Sequence, residues 1–277
     1  MSAILALIAS LTWGSADFLG GLATRRAGVL RVLSVSYPAG ALLLTPMAIW
    51  LIPGTLDAET LWFSVAIGTV GAGALALLYG ALARGPMGVV SPVTAVLAAA
   101  IPVIVGLTRG ENLPPWAFIG MALAVLAVFL VSRQRGEHLR VSPMALTLSI
   151  VSGVGIGIYL TLLGLAPESS GIWAATGARW VSSVLVIGVL LVVLRPTRNG
   201  NFPWAVAVAG GSLDAIGNGI FQLAAQRGDL SIVAVLGSLY PAATVMLARV
   251  FLGERLSRVQ AAGVVVALVA VGFLSWP

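Results

Sequence analysis

Three ionisable side chains fall deep inside apolar runs of this sequence: Asp17, Arg179 and Asp214. An ionised group surrounded by lipid is costly and faces a cavity or a partner, so each marks a place where charge has a task. Asp214 is followed by Asn218, Gln222 and Gln226 at steps of four, a spacing that lines them along one stripe of a helix. Such a stripe suits a substrate-lining face, or equally hydrogen bonding between helices. Arg179 and Asp214 stand at similar depths in consecutive antiparallel runs when each residue advances about 1.5 Å. That predicts an ion pair, either permanent or released when substrate binds; once released, the arginine fork could hold a substrate carboxylate.

Asp17 offers different chemistry. A carboxyl group shielded from water can take up and give back a proton during a transport cycle; interfacial water or a pairing with Arg25 or Arg26 is the other reading. Trp13 stands one helical turn away, and Tyr79, Tyr159 and Tyr240 also fall inside apolar runs. Aromatic faces beside a carboxylate suit a cationic or amino-bearing substrate, although membrane aromatics also serve as packing and interface anchors. The chain has no cysteine, which removes disulfides, thiolate metal sites and cysteine nucleophiles. Its one histidine, His138, sits in a hydrophilic break with no second histidine to share a metal. No cofactor, resident metal or enzymatic reaction is expected.

The elements that position these groups must be membrane helices. Of 277 residues, 59% are hydrophobic and 9% charged, against about a quarter charged in a soluble chain. A spanning helix needs about 20 mostly apolar residues, so about ten fit and little else does. The spans run Ala3 to Leu22, Leu33 to Ile52, Leu61 to Leu82, Met87 to Thr108 and Pro115 to Ser132. They continue with Pro143 to Leu165, Gly171 to Leu194, Trp204 to Gln226, Leu230 to Leu252 and Val259 to Trp276. The first run has no basic residue before it and passes straight into a second, which reads as a membrane helix and not as a cleaved signal peptide. All of the net charge of +6 comes from arginine. The arginines cluster in the gaps between spans, which is topology signalling and argues for no nucleic-acid partner.

The two halves repeat. One constant offset lays Arg84-Gly85 on Arg227-Gly228, Gly110-Glu111 on Gly253-Glu254, Leu113 on Leu256 and Gly120 on Gly263. The halves are expected at residues 1–132 and 143–277, joined by a basic connecting loop at 133–142. Five spans per half is an odd number, so the second copy enters the membrane upside down, giving two inverted five-helix repeats in an all-α integral membrane fold. Alternate loops then gather Arg25, Arg26, Arg31, Arg84, Arg133, Arg135, Arg140, Arg195, Arg198, Arg255 and Arg258 on one side. The other side holds Arg109 and Arg227 with Asp57, Glu59 and Glu168. The positive-inside rule puts the arginine-rich side in the cytoplasm and both termini outside.

Pro92, Pro102 and Pro241 can bend the fourth and ninth spans and free backbone carbonyls, as moving gates require. Glycines such as Gly68 in the third span and Gly211 in the eighth allow close helix approach. Glu111 and Glu254 stand beside Arg109 and Arg255, and surface ion pairing is their expected role.

The opening Leu11-Thr12-Trp13-Gly14-Ser15-Ala16-Asp17-Phe18, with Pro241 leading to Gly253-Glu254-Arg255-Leu256, resembles the drug/metabolite transporter superfamily, specifically proteins with two EamA-type repeats. In the first repeat the family's proline before Gly-Glu is replaced by Ala98, with Pro102 one turn later. The resemblance implies transport by alternating access, usually export, through a cavity lined by helices one, three, four, six, eight and nine. Relatives handle amino acids, sugars, nucleotide derivatives and cationic drugs. The expectation is a secondary transporter of small polar metabolites, amino acids or related compounds, in the inner membrane of a prokaryote. Its site would comprise Trp13, Asp17, Tyr79, Tyr159, Arg179, Asp214, Asn218 and Gln222. Its partners would be a small-molecule substrate and the bilayer, with proton coupling at Asp17. A proton-coupled cationic-drug antiporter is the alternative. A channel or scaffold is the rival from another class, and the sequence shows no repeated filter or ring of charge. Monomer and homodimer are both compatible with the sequence.

Overall fold

The computed structural model describes residues 1–85, 87–132, 142–193, 202–252 and 257–276. The basic stretch with His138, together with Arg195, Arg198, Glu254 and Arg255, lies outside them. The described residues form α1 (Ser2–Ala27), α2 (Val29–Pro46), α3 (Ala58–Arg84), α4 (Met87–Thr108), α5 (Pro115–Ser132) and α6 (Pro143–Gly164). They continue as α7 (Trp173–Val193), α8 (Trp204–Ala225), α9 (Leu230–Gly237), α10 (Tyr240–Leu252) and α11 (Arg258–Ser275). Local chemistry sets the boundaries. Gly28 turns α1 into α2 at a φ of 81°, which glycine adopts without a Cβ clash. Asp57 caps α3 by accepting the Thr60 N–H at 2.8 Å, and that bond holds its exposed carboxyl below the usual range. Ser142 caps α6 ahead of Pro143, and Ser257 with Gln260 forms a reciprocal capping box on α11.

Among the described residues, seven helices are long and apolar enough to cross a membrane by length and composition alone, and α5 and the α9–α10 region are shorter apolar segments. Helix α8 has the length, with 22 residues, but Asp214, Asn218 and Gln222 dilute its hydropathy. It is the polar wall of the fold. Taking α9 and α10 as one interrupted span, the architecture is all-α, two inverted five-helix repeats.

The interruption corrects the expectation of a continuous ninth span. Ser238 and Leu239 lie between two helices, just before Pro241, which has no N–H to give the Gly237 carbonyl one turn before and whose ring crowds that carbonyl. The first repeat carries Ala98 at the equivalent place, and α4 runs unbroken from Met87 to Thr108 through Pro92 and Pro102.

Packing follows the repeat. Helix α1 lies on α8 as α6 lies on α3; α3 lies on α7 as α8 lies on α2; α4 lies on α6 as the α9–α10 pair lies on α1. Helices α5 and α11 pack on each other at the side. Glycine makes the closest crossings possible: a Cβ on Gly211 would strike the Ser36 backbone of α2, and one on Gly68 the Ala178 carbonyl of α7. Two ends result. At one, Arg25 reaches the Leu82 carbonyl and Gly85 abuts Ala145, so the loops bearing Arg25, Arg26 and Arg84 come together. At the other, Thr55 bonds Ser169 and Gly228 abuts Ser2, gathering Asp57, Glu168 and the N-terminus.

Candidate functional site

A cavity opens where the two repeats meet. Its walls come from α1 (Trp13, Asp17), α2 (Tyr37), α3 (Gly71, Leu75), α6 (Tyr159), α7 (Arg179, Ser182) and α8 (Asp214, Asn218). The interruption between α9 and α10 completes it through Gly237, Ser238 and Tyr240. Helix α4 contributes Ala98, the residue standing where the other repeat has its proline.

The charged groups converge. Arg179 and Asp214 form an ion pair whose side chains are 6% and 13% exposed. The guanidinium also stacks over the Tyr37 ring, 5.2 Å from its centroid, a cation–π contact strengthened by desolvation. Tyr37 is fixed in turn by donating to the Gly71 carbonyl at 3.1 Å. Gly71 has no side chain because a Cβ there would press on the Tyr159 ring. Trp13 donates its indole N–H to Asn218 Oδ1 at 3.0 Å and tilts against Phe221, with centroids 5.3 Å apart. Asp17, 7% exposed, has no hydrogen bond or ion pair among the described residues. It is paired with neither Arg25 nor Arg26.

Six of the expected site residues therefore share one cavity: Trp13, Asp17, Tyr159, Arg179, Asp214 and Asn218. Two do not. Tyr79 is buried beside the cavity wall, its hydroxyl against Gly20 of α1, where it seals α1 to α3 near the arginine-bearing end. Gln222 is fully buried one turn beyond Asn218 and spends its amide on other helices. It accepts the Ala175 N–H at 3.0 Å and donates to Ser170 Oγ at 2.9 Å. Gln226 continues that work, donating to the Pro167 and Gly171 carbonyls, each at 3.2 Å. The polar stripe of α8 is thus divided: Asp214 and Asn218 line the cavity, and Gln222 and Gln226 lace the connection into α7. Four cavity residues, Tyr37, Ser182, Ser238 and Tyr240, are absent from the expected set, although Tyr240 was visible as an aromatic within a span.

Glu111 also departs from expectation. It does not pair with Arg109; its two carboxylate oxygens accept the Leu230 and Ser231 N–H groups at 2.7 and 3.2 Å. A residue of the first repeat thereby caps α9 of the second, in place of Asp229, whose side chain makes no cap. Burial, and then the adjacent Glu111 carboxylate, raise Asp229 above the usual range. Gly106 leaves the room: a Cβ there would collide with the Glu111 carboxylate and the Ser231 hydroxyl. Glu111→Ala should lower stability by about 1–2 kcal/mol, the worth of a helix cap. Thermal unfolding in detergent measures it, and an unchanged midpoint would remove Glu111 from the latch.

Residues 1–133 and 143–276 each match the profile of the EamA-like transporter family. A protein of Synechocystis sp., described as an uncharacterized transporter, is 25% identical over 173 residues, covering 58% of this chain and 50% of that protein. The chain thus spans half the length of that curated relative. One crystal structure superposes with a TM-score of 0.79 over 99% of this chain and 96% of its own, at 15% identity, which is a likeness of fold.

Proposed function

The chain belongs to the EamA-like transporter family, and we propose that it is a secondary carrier moving small polar, amino-bearing metabolites across a prokaryotic inner membrane by alternating access. The observation that carries this reading is the cavity at the junction of the repeats, which gathers the side chains of Asp17, Arg179 and Asp214 deep inside a largely apolar bundle. Charge at that depth is expensive, and a carrier is the machine that needs it there. Inverted repeats can rock against one another around a fixed central site. One part suited to movement borders that site, the interrupted α9–α10 span, and the other end of α9 is held by Glu111. Asp17 is the group available to exchange a proton, since it has no partner to release first. Antiport of a cation against protons is the second reading, and the same unpartnered carboxylate favours it.

The test is counterflow in liposomes. Protein reconstituted with unlabelled amine or amino acid inside should accumulate labelled solute transiently and saturably. Linear, unsaturable flux would replace the carrier by a channel.

The arginine-bearing end is proposed to face the cytoplasm, on the positive-inside rule. Because the native chain has no cysteine, a single introduced thiol reports its side without interference. Ser169→Cys should react with a membrane-impermeant maleimide in intact cells, and Arg26→Cys only after lysis. The reverse pattern would invert the topology.

A further inference from the structure

The N-terminus of α9 is capped by a residue of the other repeat while its own capping residue stands idle. Glu111 takes the Leu230 and Ser231 N–H groups, and the Ser231 hydroxyl donates to the Val103 carbonyl of α4 at 3.3 Å. These bonds join the C-terminal end of α4 to the start of α9, at the end of the molecule opposite Arg25, Arg26 and Arg84. Asp229 has the position and the extended backbone of a helix cap, with φ −60° and ψ 127°, yet its side chain makes no cap bond. It neighbours Glu111, near enough that the Glu111 carboxylate adds to burial in raising it above the usual range. From an N-cap position a carboxylate reaches the N–H of the second or third helical residue, here Ser231 or Ile232. One helix terminus thus has two carboxylates able to serve it, and they compete for the Ser231 N–H. At the repeat offset Asp229 falls opposite Pro86, so the scaffold does not require an acid at that place.

We propose that the α4–α9 contact is a gate worked by exchange of these two caps. Closed, Glu111 holds α9 to the first repeat; open, Asp229 turns onto its own helix and takes the Ser231 N–H as Glu111 leaves. This inference rests on the carrier reading and gives it a gate at one end. A helix terminus pulled away from its cap is left with unpaired N–H groups, a cost that opposes opening. A second carboxylate at the N-cap position offsets most of that cost, so the two states lie close in free energy, as a cycling gate requires. Repulsion between the two carboxylates acts in the same direction, since it falls when Glu111 withdraws. Movement at this end reaches the cavity through α9 itself, whose eight residues end at Gly237 in the cavity wall.

Both states can be read without a transported solute, on the purified full chain in detergent. Ser231→Cys puts a single thiol at a fully buried position of the contact in a chain with no other cysteine, so its rate of reaction with a maleimide follows opening. In that background Glu111→Ala should speed labelling about tenfold or more, and Asp229→Ala should slow it about fivefold, the worth of an N-cap. Thermal unfolding measures the competition directly. Asp229→Ala alone should hold the native midpoint; joined to Glu111→Ala, it should lower the midpoint by about 2 °C or more beyond the sum of the singles. Glu111→Ala with Asp229→Asn should match Glu111→Ala alone, since asparagine caps as well as aspartate. If Glu111→Ala does not fold, Glu111→Gln, which keeps one oxygen to accept an N–H, takes its place in every comparison. Additive midpoints, an asparagine that behaves as alanine, or labelling that Asp229→Ala leaves unchanged or speeds would each overturn the exchange. Any of those results leaves saturable counterflow, and so the carrier, standing. Unsaturable flux sinks the carrier instead, while labelling and midpoints still report whether the caps exchange.

Discussion

Arg179→Ala should destabilise the protein by about 3–5 kcal/mol, the cost of removing one partner of a buried ion pair, and should abolish counterflow. The substitution leaves the Asp214 carboxylate facing Asp17 across the cavity with no cation to separate them. It also removes the guanidinium from the Tyr37 ring, a contact worth about 2 kcal/mol when desolvated. Removing both charges together changes the stability result but not the transport result. Arg179→Met with Asp214→Leu should return the unfolding midpoint to near the native value, because apolar residues of similar volume can replace a buried pair without loss. Exchange should remain absent. The measurements are thermal unfolding in detergent and counterflow in liposomes on all three proteins. A single variant as stable as the native chain would mean that Asp214 finds water or another donor, and that the pair is not what holds α7 to α8 at the cavity.

The repeat itself argues that this pair serves function more than folding. At the offset that lays Arg84-Gly85 on Arg227-Gly228, Asp17, Arg179 and Asp214 fall opposite Leu160, Ser36 and Gly71. Those counterparts stand on the corresponding helices of the other repeat with no charge at all. Helix packing in this architecture therefore does not demand a carboxylate or a guanidinium at these places. The glycines behave in the opposite way. Gly68 and Gly211 stand at equivalent positions and both relieve a close crossing, α3 on α7 and α8 on α2, so duplication has kept what the scaffold needs.

That division explains what could be read in advance. The spans were legible because a membrane helix needs only length and apolarity, and charge at depth declared Asp17, Arg179 and Asp214. Depth along two antiparallel helices was enough to put Arg179 beside Asp214. Rotation about a helix axis is a different matter, because it depends on neighbours distant in sequence. Gln222 follows Asn218 by one turn, yet Ser170 and Ala175 reach it first. Tyr79 points at Gly20, and only the absence of a Cβ there makes room. Tyr37 is the converse: α2 gave no sign of entering the cavity until Arg179 crossed to its ring. Glu111 looked like half of a surface pair with Arg109, but it accepts the otherwise unbonded N–H groups at the start of α9, and they come from the other repeat.

The α9–α10 interruption joins the latch to the cavity, and Pro241→Ala should show it. An alanine restores the N–H that Pro241 lacks and relieves the crowding of the Gly237 carbonyl, a change worth about 3 kcal/mol in a helix interior. The expected product is a continuous helix from Leu230 onward, like α4 with Ala98. Stability should therefore rise or hold. Exchange should nevertheless slow by tenfold or more, because Glu111 holds the N-terminus of α9 while Gly237, Ser238 and Tyr240 form the cavity wall at the interruption. With two short helices, the part held at the latch can tilt while α10 stays bonded to α1 through Thr244 and the Gly14 carbonyl at 3.0 Å. A single rod would have to move as one body and break that contact. The experiment compares initial counterflow rates and unfolding midpoints for the native chain and Pro241→Ala. A more stable variant that exchanges at the native rate would show that the interruption shapes the cavity without taking part in its movement.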